Sequence, residues 1–516
     1  MIYYKNECNS FDYEFEDVIK LFLIKDELKK IDGPWDQNSG AFLFCRFDKN
    51  PVFSILIDIS DSHKNFYKQT RIPVPEALLL KLSNHLSSDK SEEENYLSDE
   101  RFLLKETRKV FKRKLYLLLQ NYTGKAIPWG VMTGIRPAKL VNEFLDQGND
   151  KEQVIKTLVE DYYVAENKAQ LLYDVAVNQR ELFMDSASDT VSLYIGIPFC
   201  PTRCLYCSFS SSTIGQYKKV VDSYLDALLK EIKHTQELIR NRGLKIESIY
   251  VGGGTPTSVN PAQLDRLLKG IETHLDLTFL KEYTLEAGRP DTIDTDKLKV
   301  IKNSRVSRIS INPQSMNAST LERIGRNHTP AEVERAFYTA RELGFDNINM
   351  DVICGLPGED IEMFENTMER IKKLKPESLT VHTMAIKRAS RLTLEMDNYS
   401  LLREYEQVAE MVETARKHAS GMGMKPYYLY RQKNILGNLE NVGYSLKSRE
   451  CLYNIQIMEE RQSIYACGAG AVTKIVFPDN RIERAFNVKS VEEYLGRIDE
   501  MLSRKEAVAG VRRIIQ

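Results

Sequence analysis

From about residue 190, strand-like and helix-like segments alternate regularly along the chain. The helix-like segments, such as residues 220–239 and 330–344, carry apolar residues at helical spacing. The strand-like segments are six short runs rich in β-branched and other apolar residues: 191–199, 248–254, 281–288, 305–313, 347–355 and 378–386. This repetition predicts an α/β fold with a parallel sheet, either open or rolled into a partial (β/α)6 barrel.

The regions on either side follow different patterns. Residues 1–185 contain two strand-like runs, a polar acidic stretch and several amphipathic segments, and we expect an N-terminal α/β accessory domain there. Its helix-like run 101–122 is rich in Lys and Arg, which favours a solvated basic face over a nucleic-acid patch. Residues 190–395 form the predicted barrel. Residues 396–516 form a C-terminal mixed α/β region that we expect to cover the side where a substrate would enter.

Composition narrows the class of protein. A single hydrophobic core stops growing near ~250–300 residues, so a chain of 516 residues is expected to hold several compact units. The 72 basic and 73 acidic side chains leave a net charge of −1, so no overall charge attracts nucleic acid or an anionic membrane. There is no run of about 18 uncharged apolar residues to predict a membrane span, and no signal peptide is recognised. We therefore expect a cytoplasmic protein.

Three of the eight cysteines crowd into the run Cys200-Pro-Thr-Arg-Cys204-Leu-Tyr-Cys207. In a cytoplasmic protein, clustered cysteines favour metal or redox chemistry over disulfides. A structural zinc site usually takes four ligands, and no fourth Cys or His stands nearby. Three thiolates can instead hold three irons of a [4Fe–4S] cluster and leave the fourth iron open. The spacing favours the iron–sulfur cluster, with a zinc site or plain packing as the alternative.

Other unusual residues stand at the carboxyl ends of the predicted strands, where α/β proteins bind ligands. The second run ends in Gly253 and Gly254, followed by Thr255. Because glycine has no side chain, a small polar ligand can come close to the backbone there and bind its free N–H and C=O groups. Three polar side chains stand on otherwise apolar strands: Glu286, Gln314 and Asp351. Such side chains are costly to bury unless they are paired. They either pair with Lys or Arg at the rim or bind a polar ligand.

Some residues have two interpretations. Arg326 is either a surface residue or a fork that binds a carboxylate, and His382 on the sixth run is by default a core histidine. A tyrosine-rich run could face a flat aromatic ligand, although packing of strand residues is the preferred interpretation; it contains Tyr427, Tyr428 and Tyr430.

The run LYIGIPFCPTRCLYCSF (193–209) resembles the signature of radical S-adenosylmethionine (SAM) enzymes. More narrowly, it is similar to the oxygen-independent coproporphyrinogen III oxidase (dehydrogenase) group and its heme-chaperone-like relatives. The segments GGGTPT, INPQSMN, NMDVICGLPGE and the late GAGA follow in the order that this group shows, over roughly residues 190–480. The long N-terminal region and YYLYRQKN (427–434) resemble the longer, HemZ-like branch.

The resemblance implies a role for each matched residue. Cys200, Cys204 and Cys207 would ligate a [4Fe–4S] cluster, and SAM would be the second cofactor. The SAM contacts would be Tyr194 near the methionine end, Tyr206 and Ala385 beside the adenine, Gly253, Gly254 and Thr255 at the amino group, Glu286 and Arg326 at the amino-acid part, and Gln314 and Asp351 at the ribose.

The resemblance also implies a reaction. A radical derived from SAM would remove hydrogen from a propionate β-carbon of coproporphyrinogen III. Loss of CO2, and of one electron to a final electron acceptor, would leave a vinyl group, twice per substrate. A tetrapyrrole substrate and an external low-potential electron donor such as flavodoxin or ferredoxin are implied with it. By charge and position, candidates for binding the substrate's carboxylates are Arg388, Arg391 and Arg431.

Two positions depart from the pattern of the oxidases. Gly196 stands where many of them have His, and Ser208-Phe209 stands where their cysteine motif continues with Gly-Cys. The second departure is the pattern of the chaperone-like relatives. Heme binding and transfer, or another radical SAM reaction on a tetrapyrrole or other planar substrate, are therefore the alternative functions.

Overall fold

The described part of the chain divides into two compact units. The computed structural model describes residues 2–23, 28–33, 35, 40–48, 54–75, 78, 98–208, 212–385, 405–432, 435–479 and 481–510. Unit 1 consists of Met1–Gly134 and Gly148–Gln170, and unit 2 of Ile135–Gln147 and Leu171–Gln516. Residues 171–185 therefore group with the predicted barrel rather than with the predicted accessory domain. The three-domain division with boundaries at 185 and 395 stays a prediction, and position 395 lies outside the described residues.

Unit 1 is built on a five-stranded sheet. Its strands are β1 (Ile2–Asn6), β2 (Leu28–Lys30), β3 (Ala41–Asp48), β4 (Ser54–Asp61) and β5 (Phe66–Pro73), in the order β2-β1-β3-β4-β5. Strand β1 is parallel to both neighbours, and β3, β4 and β5 are antiparallel. Two helices, α1 (Asp12–Phe22) and α2 (Ser98–Thr123), pack on the sheet through a core that includes Phe15, Phe111 and Ile57. The predicted α/β character of this region is confirmed.

Three helices follow unit 1's long helix. They are α3 (Pro137–Asp146), α4 (Lys151–Glu160) and α5 (Glu166–Phe183). Helix α4 begins with a capping box in which the side chains of Asp150 and Gln153 each accept from the other's backbone N–H. Helix α3 belongs to unit 2, where the Asn142 side chain donates to the buried carboxylate of Glu459 over 2.9 Å.

Unit 2 is organised around one eleven-stranded sheet in the order β14-β15-β13-β12-β11-β10-β9-β6-β16-β17-β18. Its strands, with the short pair β7 and β8, are β6 (Thr190–Ile197), β7 (Phe199–Cys200), β8 (Ser212–Thr213), β9 (Lys245–Gly253), β10 (Glu282–Gly288), β11 (Arg308–Ile311), β12 (Ile348–Cys354), β13 (Ser378–Thr383), β14 (Lys425–Tyr430), β15 (Asn441–Ser445), β16 (Ile464–Cys467), β17 (Val472–Val476) and β18 (Ile482–Phe486). The six predicted strands, β6 and β9–β13, are parallel neighbours. The predicted α/β fold is confirmed, as an open sheet.

The C-terminal region extends this sheet at both sides. Strand β15 pairs antiparallel with β13 and with β14, while β16 pairs in parallel with β6 and continues into antiparallel β17 and β18. The predicted mixed α/β C-terminal region is thus present, and its strands belong to the same sheet as the six parallel ones.

Helices connect the strands of unit 2. They are α6 (Ile214–Tyr217), α7 (Val221–Asn241), α8 (Pro261–His274), α9 (Thr295–Lys302), α10 (Ala318–Arg323), α11 (Pro330–Glu342), α12 (Ile361–Leu374), α13 (Tyr405–Gly421), α14 (Leu452–Glu459), α15 (Val491–Gly496) and α16 (Ile498–Ala509). Helices α8 and α11 each begin with Pro at the first turn and a capping box, formed by Asn260 with Gln263 and by Thr329 with Glu332. Among the described residues, none of the helices is long and apolar enough to cross a membrane.

Candidate active site

The three clustered cysteines lie in residues 198–208, the cysteine loop that follows β6, where Cys200 is the last residue of β7. Cys204 is buried, and Cys200 and Cys207 are half-buried. The loop is tied to the segment after α10, because Leu205 N–H donates to Ile324 O over 3.0 Å and the Thr202 hydroxyl donates to Gly325 O over 3.1 Å. The short β7–β8 pair closes its base. The loop is thus held by contacts distant in sequence.

Arg289, which the sequence reasoning missed, holds the cysteine loop from the end of β10. Its Nη1 donates to Thr202 O over 3.0 Å, to Thr202 Oγ1 over 2.9 Å and to Cys204 Sγ over 3.7 Å. Its Nε and Nη2 donate to the two carboxylate oxygens of Asp291. The available signal was a charged Arg-x-Asp run directly after the Glu286 strand.

The glycine-rich end of β9 lies beside the cysteine loop. Two of its backbone N–H groups, which the sequence predicted to be free for a ligand, are already hydrogen-bonded. Gly254 N–H donates to Ile197 O and Thr255 N–H donates to Phe199 O, each over 2.7 Å. These two N–H groups are therefore not free to bind a ligand, because β6 and its continuation run alongside and accept from them. The Thr255 hydroxyl lies 3.6 Å from Cys200 Sγ, which brings two of the predicted site residues together.

Glycine is required here by close contacts. Gly253 has φ of +109°, and a Cβ there would lie 3.2 Å from backbone atoms of Ile197 and 3.3 Å from the Tyr194 hydroxyl. At Gly254 a Cβ would lie 2.5 Å from Phe199 O. Any side chain at 253 or 254 would displace the end of β6 and so move the cysteine loop.

Strand register places most of the predicted polar residues on one face of the sheet. Tyr194 is paired with Tyr250, Tyr250 with Thr284, Glu286 with Ser310, Ser310 with Asn349, and Asp351 with Thr380. Paired residues in parallel strands, and residues two apart on one strand, share a face. This shared face therefore carries Tyr194, Tyr250, Glu286, Asp351 and His382.

A tyrosine stack and a carboxylate occupy one part of this face. The rings of Tyr194, Tyr250 and Tyr453 are stacked, with centroids 4.7 to 6.3 Å apart. The Tyr250 hydroxyl donates to Glu286 Oε1 over 2.5 Å. Burial, reinforced by Asp351, raises the pKa of Glu286 to about 7, although the Tyr250 hydrogen bond acts against this rise. The sequence reasoning missed Tyr250, although Tyr-Val-Gly on β9 repeats Tyr-Ile-Gly on β6.

Gln314 and Arg326 lie next along the site. Gln314 has φ of +67°, rare for a residue other than glycine, and its N–H donates to Asp351 O over 2.9 Å. Arg326 donates to Asn312 O over 2.5 Å and to the Tyr206 hydroxyl over 3.2 Å. Both side chains are 7% exposed, and Gln314 Oε1 and Arg326 Nε are buried without a hydrogen-bond partner among the described residues. Buried polar atoms of this kind are costly unless a ligand satisfies them.

A second carboxylate is held at the far end of the same face. Asp351 Oδ1 accepts from Asn349 over 2.7 Å, and its Oδ2 lies 3.7 Å from His382 Nε2. His382 Nδ1 lies 3.0 Å from the Tyr430 hydroxyl. Although burial opposes it, the neighbouring His382 ring and the hydrogen bond from Asn349 hold the pKa of Asp351 below its usual value. His382 therefore contacts a predicted site residue instead of filling the core.

The remaining predicted residues have different surroundings. Ala385 forms an isolated antiparallel bridge with Ile435 beyond β13. Arg431 is buried, donates to Asn438 O over 2.8 Å, and has its pKa lowered to about 10 by burial. The other two arginine candidates, Arg388 and Arg391, lie outside the described residues, as does Phe209.

The chain is similar to several known proteins. The family described as "Radical SAM superfamily" matches residues 194–371. The chain is 43% identical over 392 residues to the oxygen-independent coproporphyrinogen-III oxidase-like protein HemZ of Bacillus subtilis (strain 168), covering 75% of this chain and 78% of that protein. It is 32% identical over 311 residues to the heme chaperone HemW of the same organism, covering 60% and 76%. Among solved structures it is similar to coproporphyrinogen III oxidase (HemN) from Escherichia coli, with a TM-score of 0.49 and 24% identity, covering 63% and 73%.

Radical SAM proteins use a [4Fe–4S] cluster and SAM. The described residues fit both groups: a loop with three thiols, a glycine end that admits no side chain, and two buried polar atoms that have no partner among the described residues. With the long match to the Bacillus protein, these features show that the chain belongs to the radical SAM superfamily and, within it, to the family of the oxygen-independent coproporphyrinogen-III oxidase-like protein HemZ.

Proposed function

We propose that this protein catalyses the oxygen-independent oxidative decarboxylation of coproporphyrinogen III to protoporphyrinogen IX. The observation that carries the proposal is the shared face of the sheet, where a three-cysteine loop, stacked tyrosines and two carboxylates meet. Aromatic walls with a few polar groups suit a planar ligand with polar substituents. The name of the Bacillus relative points to the same substrate class.

We propose that the cysteine loop holds the cluster and that the adjoining residues hold SAM. The cluster ligands would be Cys200, Cys204 and Cys207. The residues proposed to bind SAM are Tyr194, Tyr206, Gly253, Gly254, Thr255, Glu286, Gln314, Arg326, Asp351 and Ala385. When bound, the two groups supply a carbon-centred radical that removes a hydrogen atom from the substrate.

The protein's own residues would then act by binding and orienting. Glu286, with a pKa of about 7, loses its proton readily when a cationic ammonium group binds beside it. Asp351 is ionised and oriented by His382 and Asn349, so it can accept from two hydroxyl groups. Gln314 Oε1 and Arg326 Nε offer one further acceptor and one further donor. Hydrogen-atom removal needs no protein acid or base, so positioning is the main task of these side chains.

A second candidate function is the binding and transfer of heme. The match to the heme chaperone HemW and Ser208 after the third cysteine favour it. Gly196 is neutral between the two functions: a Cβ there would make ordinary contacts of 3.4 to 3.9 Å with Tyr194, Cys467 and Ala469, so the position tolerates glycine without requiring it.

The test is anaerobic incubation of the reconstituted full chain with SAM, a low-potential reductant and coproporphyrinogen III. The proposal expects mono- and divinyl products by mass spectrometry, with 5′-deoxyadenosine formed in step. Active SAM cleavage without vinyl product would contradict it. Stoichiometric heme binding without SAM turnover would instead support the second candidate. Flavodoxin and ferredoxin, the proposed class of electron donor, are compared as reductants in the same assay.

The roles of the flanking regions are also proposals. The C-terminal region, whose strands β14 and β15 adjoin β13, would cover the substrate side, and Tyr430 on β14 already reaches His382. The N-terminal region would dock a partner or act as a substrate lid. The assay above, repeated on a chain that lacks residues 1–134, tests these two roles of the N-terminal region. A docking role predicts that turnover is lost with a protein electron donor but kept with a chemical reductant.

A further inference from the structure

Arg289 is a buried cation whose every donor group is engaged. It lies one residue beyond β10 and is 3% exposed. Its fork meets the Asp291 carboxylate with two hydrogen bonds of 3.0 and 2.8 Å, a rigid bidentate pair. The remaining nitrogen, Nη1, donates to both Thr202 oxygens and to Cys204 Sγ. Arg289 thus joins the end of β10 to the middle of the cysteine loop.

Two cations lie near Cys204. Arg289 Nη1 donates to its sulfur. Although burial opposes it, the neighbouring Tyr206 and Cys204 side chains raise the pKa of Arg326, so this second guanidinium also interacts with Cys204. Asp291 is the carboxylate paired with Arg289, and His328 lies 3.9 Å from Asp291 Oδ1. Burial and the neighbouring Arg326 lower the pKa of His328 to about 4, so its ring is neutral at pH 7 and adds no third cation.

Donors and positive charge at a cysteine sulfur stabilise the more negative, reduced form of an iron–sulfur cluster. We propose that Arg289 is a positioning residue that fixes Cys204 in the loop and raises the reduction potential of the cluster held there. This inference rests on the proposed assignment of Cys204 as a cluster ligand. As a consequence, the cluster would accept one electron from an external low-potential donor more readily than it would without Arg289.

The test compares variants that change the charge in opposite directions. Arg289→Gln keeps a hydrogen-bond donor but removes the charge, and Arg289→Lys keeps the charge but not the fork. Asp291→Asn removes the negative charge that is paired with Arg289. Arg335→Gln, at a side chain 71% exposed on α11, is the control. Each reconstituted full-length variant is titrated anaerobically with mediators, and the reduced cluster is counted by electron paramagnetic resonance, with iron content measured alongside.

At a fixed solution potential, Arg289→Gln should lower the ratio of reduced to oxidised cluster about tenfold. This corresponds to a reduction potential lower by about 59 mV for one electron. Asp291→Asn should raise that ratio. Arg289→Lys should stay nearer the wild type in potential but bind less iron, since it cannot hold the loop with a fork. These outcomes need no turnover, so they do not depend on the identity of the substrate.

Unchanged potentials in both Arg289→Gln and Asp291→Asn, with full iron content, would overturn this inference and leave the proposed function intact. If Arg289→Gln does not fold, Asp291→Asn decides alone, because a shift toward lower potential there contradicts the argument. A wild-type chain that takes up no cluster would instead overturn the assignment of Cys204 and the proposed function together.

Discussion

The Tyr250 hydroxyl donates a hydrogen bond of 2.5 Å to Glu286 Oε1, from the neighbouring strand of the same sheet. Burial raises the pKa of Glu286 to about 7, and this hydrogen bond keeps the pKa from rising further. Tyr250, together with the buried charge of Arg308, therefore keeps Glu286 able to ionise near neutral pH, where a cationic ligand would need a carboxylate.

Replacing Tyr250 with Phe should raise the pKa of Glu286, because the phenol no longer stabilises the carboxylate. A hydrogen bond to a charged group contributes about 1.5–3 kcal/mol, so SAM binding at pH 7 should weaken about tenfold or more. The midpoint of the binding pH profile should also move upward. Equilibrium dialysis with SAM from pH 6 to 9 measures both, with Tyr338→Phe, 52% exposed, as the control. An unchanged profile would contradict the coupling.

Glu286 should also make folding stability depend on pH. Its pKa is about 7 in the folded protein against 4.5 ordinarily. Between these values the unfolded chain releases the proton and the folded one retains it, so this group's contribution to stability falls as the pH rises and is lost above about 7. Glu286→Gln stays neutral, so relative to wild type it should gain on the order of 3 kcal/mol between pH 4.5 and 8. Urea unfolding of the protein without cofactors at both pH values measures this gain. If the variant and the wild type differ in unfolding free energy by the same amount at both pH values, the prediction is wrong.

The six parallel strands were predictable because each is a short apolar run between amphipathic helices, a local pattern. Contacts between distant segments were not. The N–H groups of Gly254 and Thr255 looked free in sequence, but Ile197 and Phe199 accept from them because β6 lies alongside. The contact of Arg289 with Cys204 spans 85 positions and leaves no periodic signal. Likewise, pairing of β16 with β6 joins residues about 270 positions apart, so the C-terminal flanks of the sheet could not be read from local patterns.

His382 should matter through Asp351 rather than through packing. At position 382, a Gln side chain places its amide nitrogen near the position of the histidine Nε2, which faces Asp351. An Asn side chain places its amide nitrogen near the position of Nδ1, which faces Tyr430. His382→Asn should therefore weaken SAM binding about fivefold, because the nitrogen that lies 3.7 Å from the Asp351 carboxylate is lost, and His382→Gln should weaken it much less. The two variants remove similar amounts of packing, so equal losses in the dialysis assay would refute the orienting role.

Single Ser substitutions at Cys200, Cys204 and Cys207 should each abolish most of the bound iron after anaerobic reconstitution. Three thiolates are the minimum for a cluster with one open iron, and a hydroxyl is a poor substitute ligand. Cys45→Ala, at a fully buried thiol in unit 1, should keep full iron content. Retention of the cluster's absorption and stoichiometric iron in any of the three Ser variants would show that this cysteine is not a ligand.

The Lys505 ammonium and the Glu231 carboxylate form a salt bridge of 3.0 Å, with side chains 1% and 0% exposed. The same carboxylate accepts from Gly468 N–H, Asn487 and Tyr494, so it ties α16 and the turn after β16 to α7. Lys505→Met leaves a buried charge without its cation and should cost about 3–5 kcal/mol of unfolding free energy. The double variant Glu231→Gln with Lys505→Met removes both charges and should be more stable than Lys505→Met alone. Denaturant unfolding of the four proteins forms a double-mutant cycle, and additive losses would mean that the pair is not coupled.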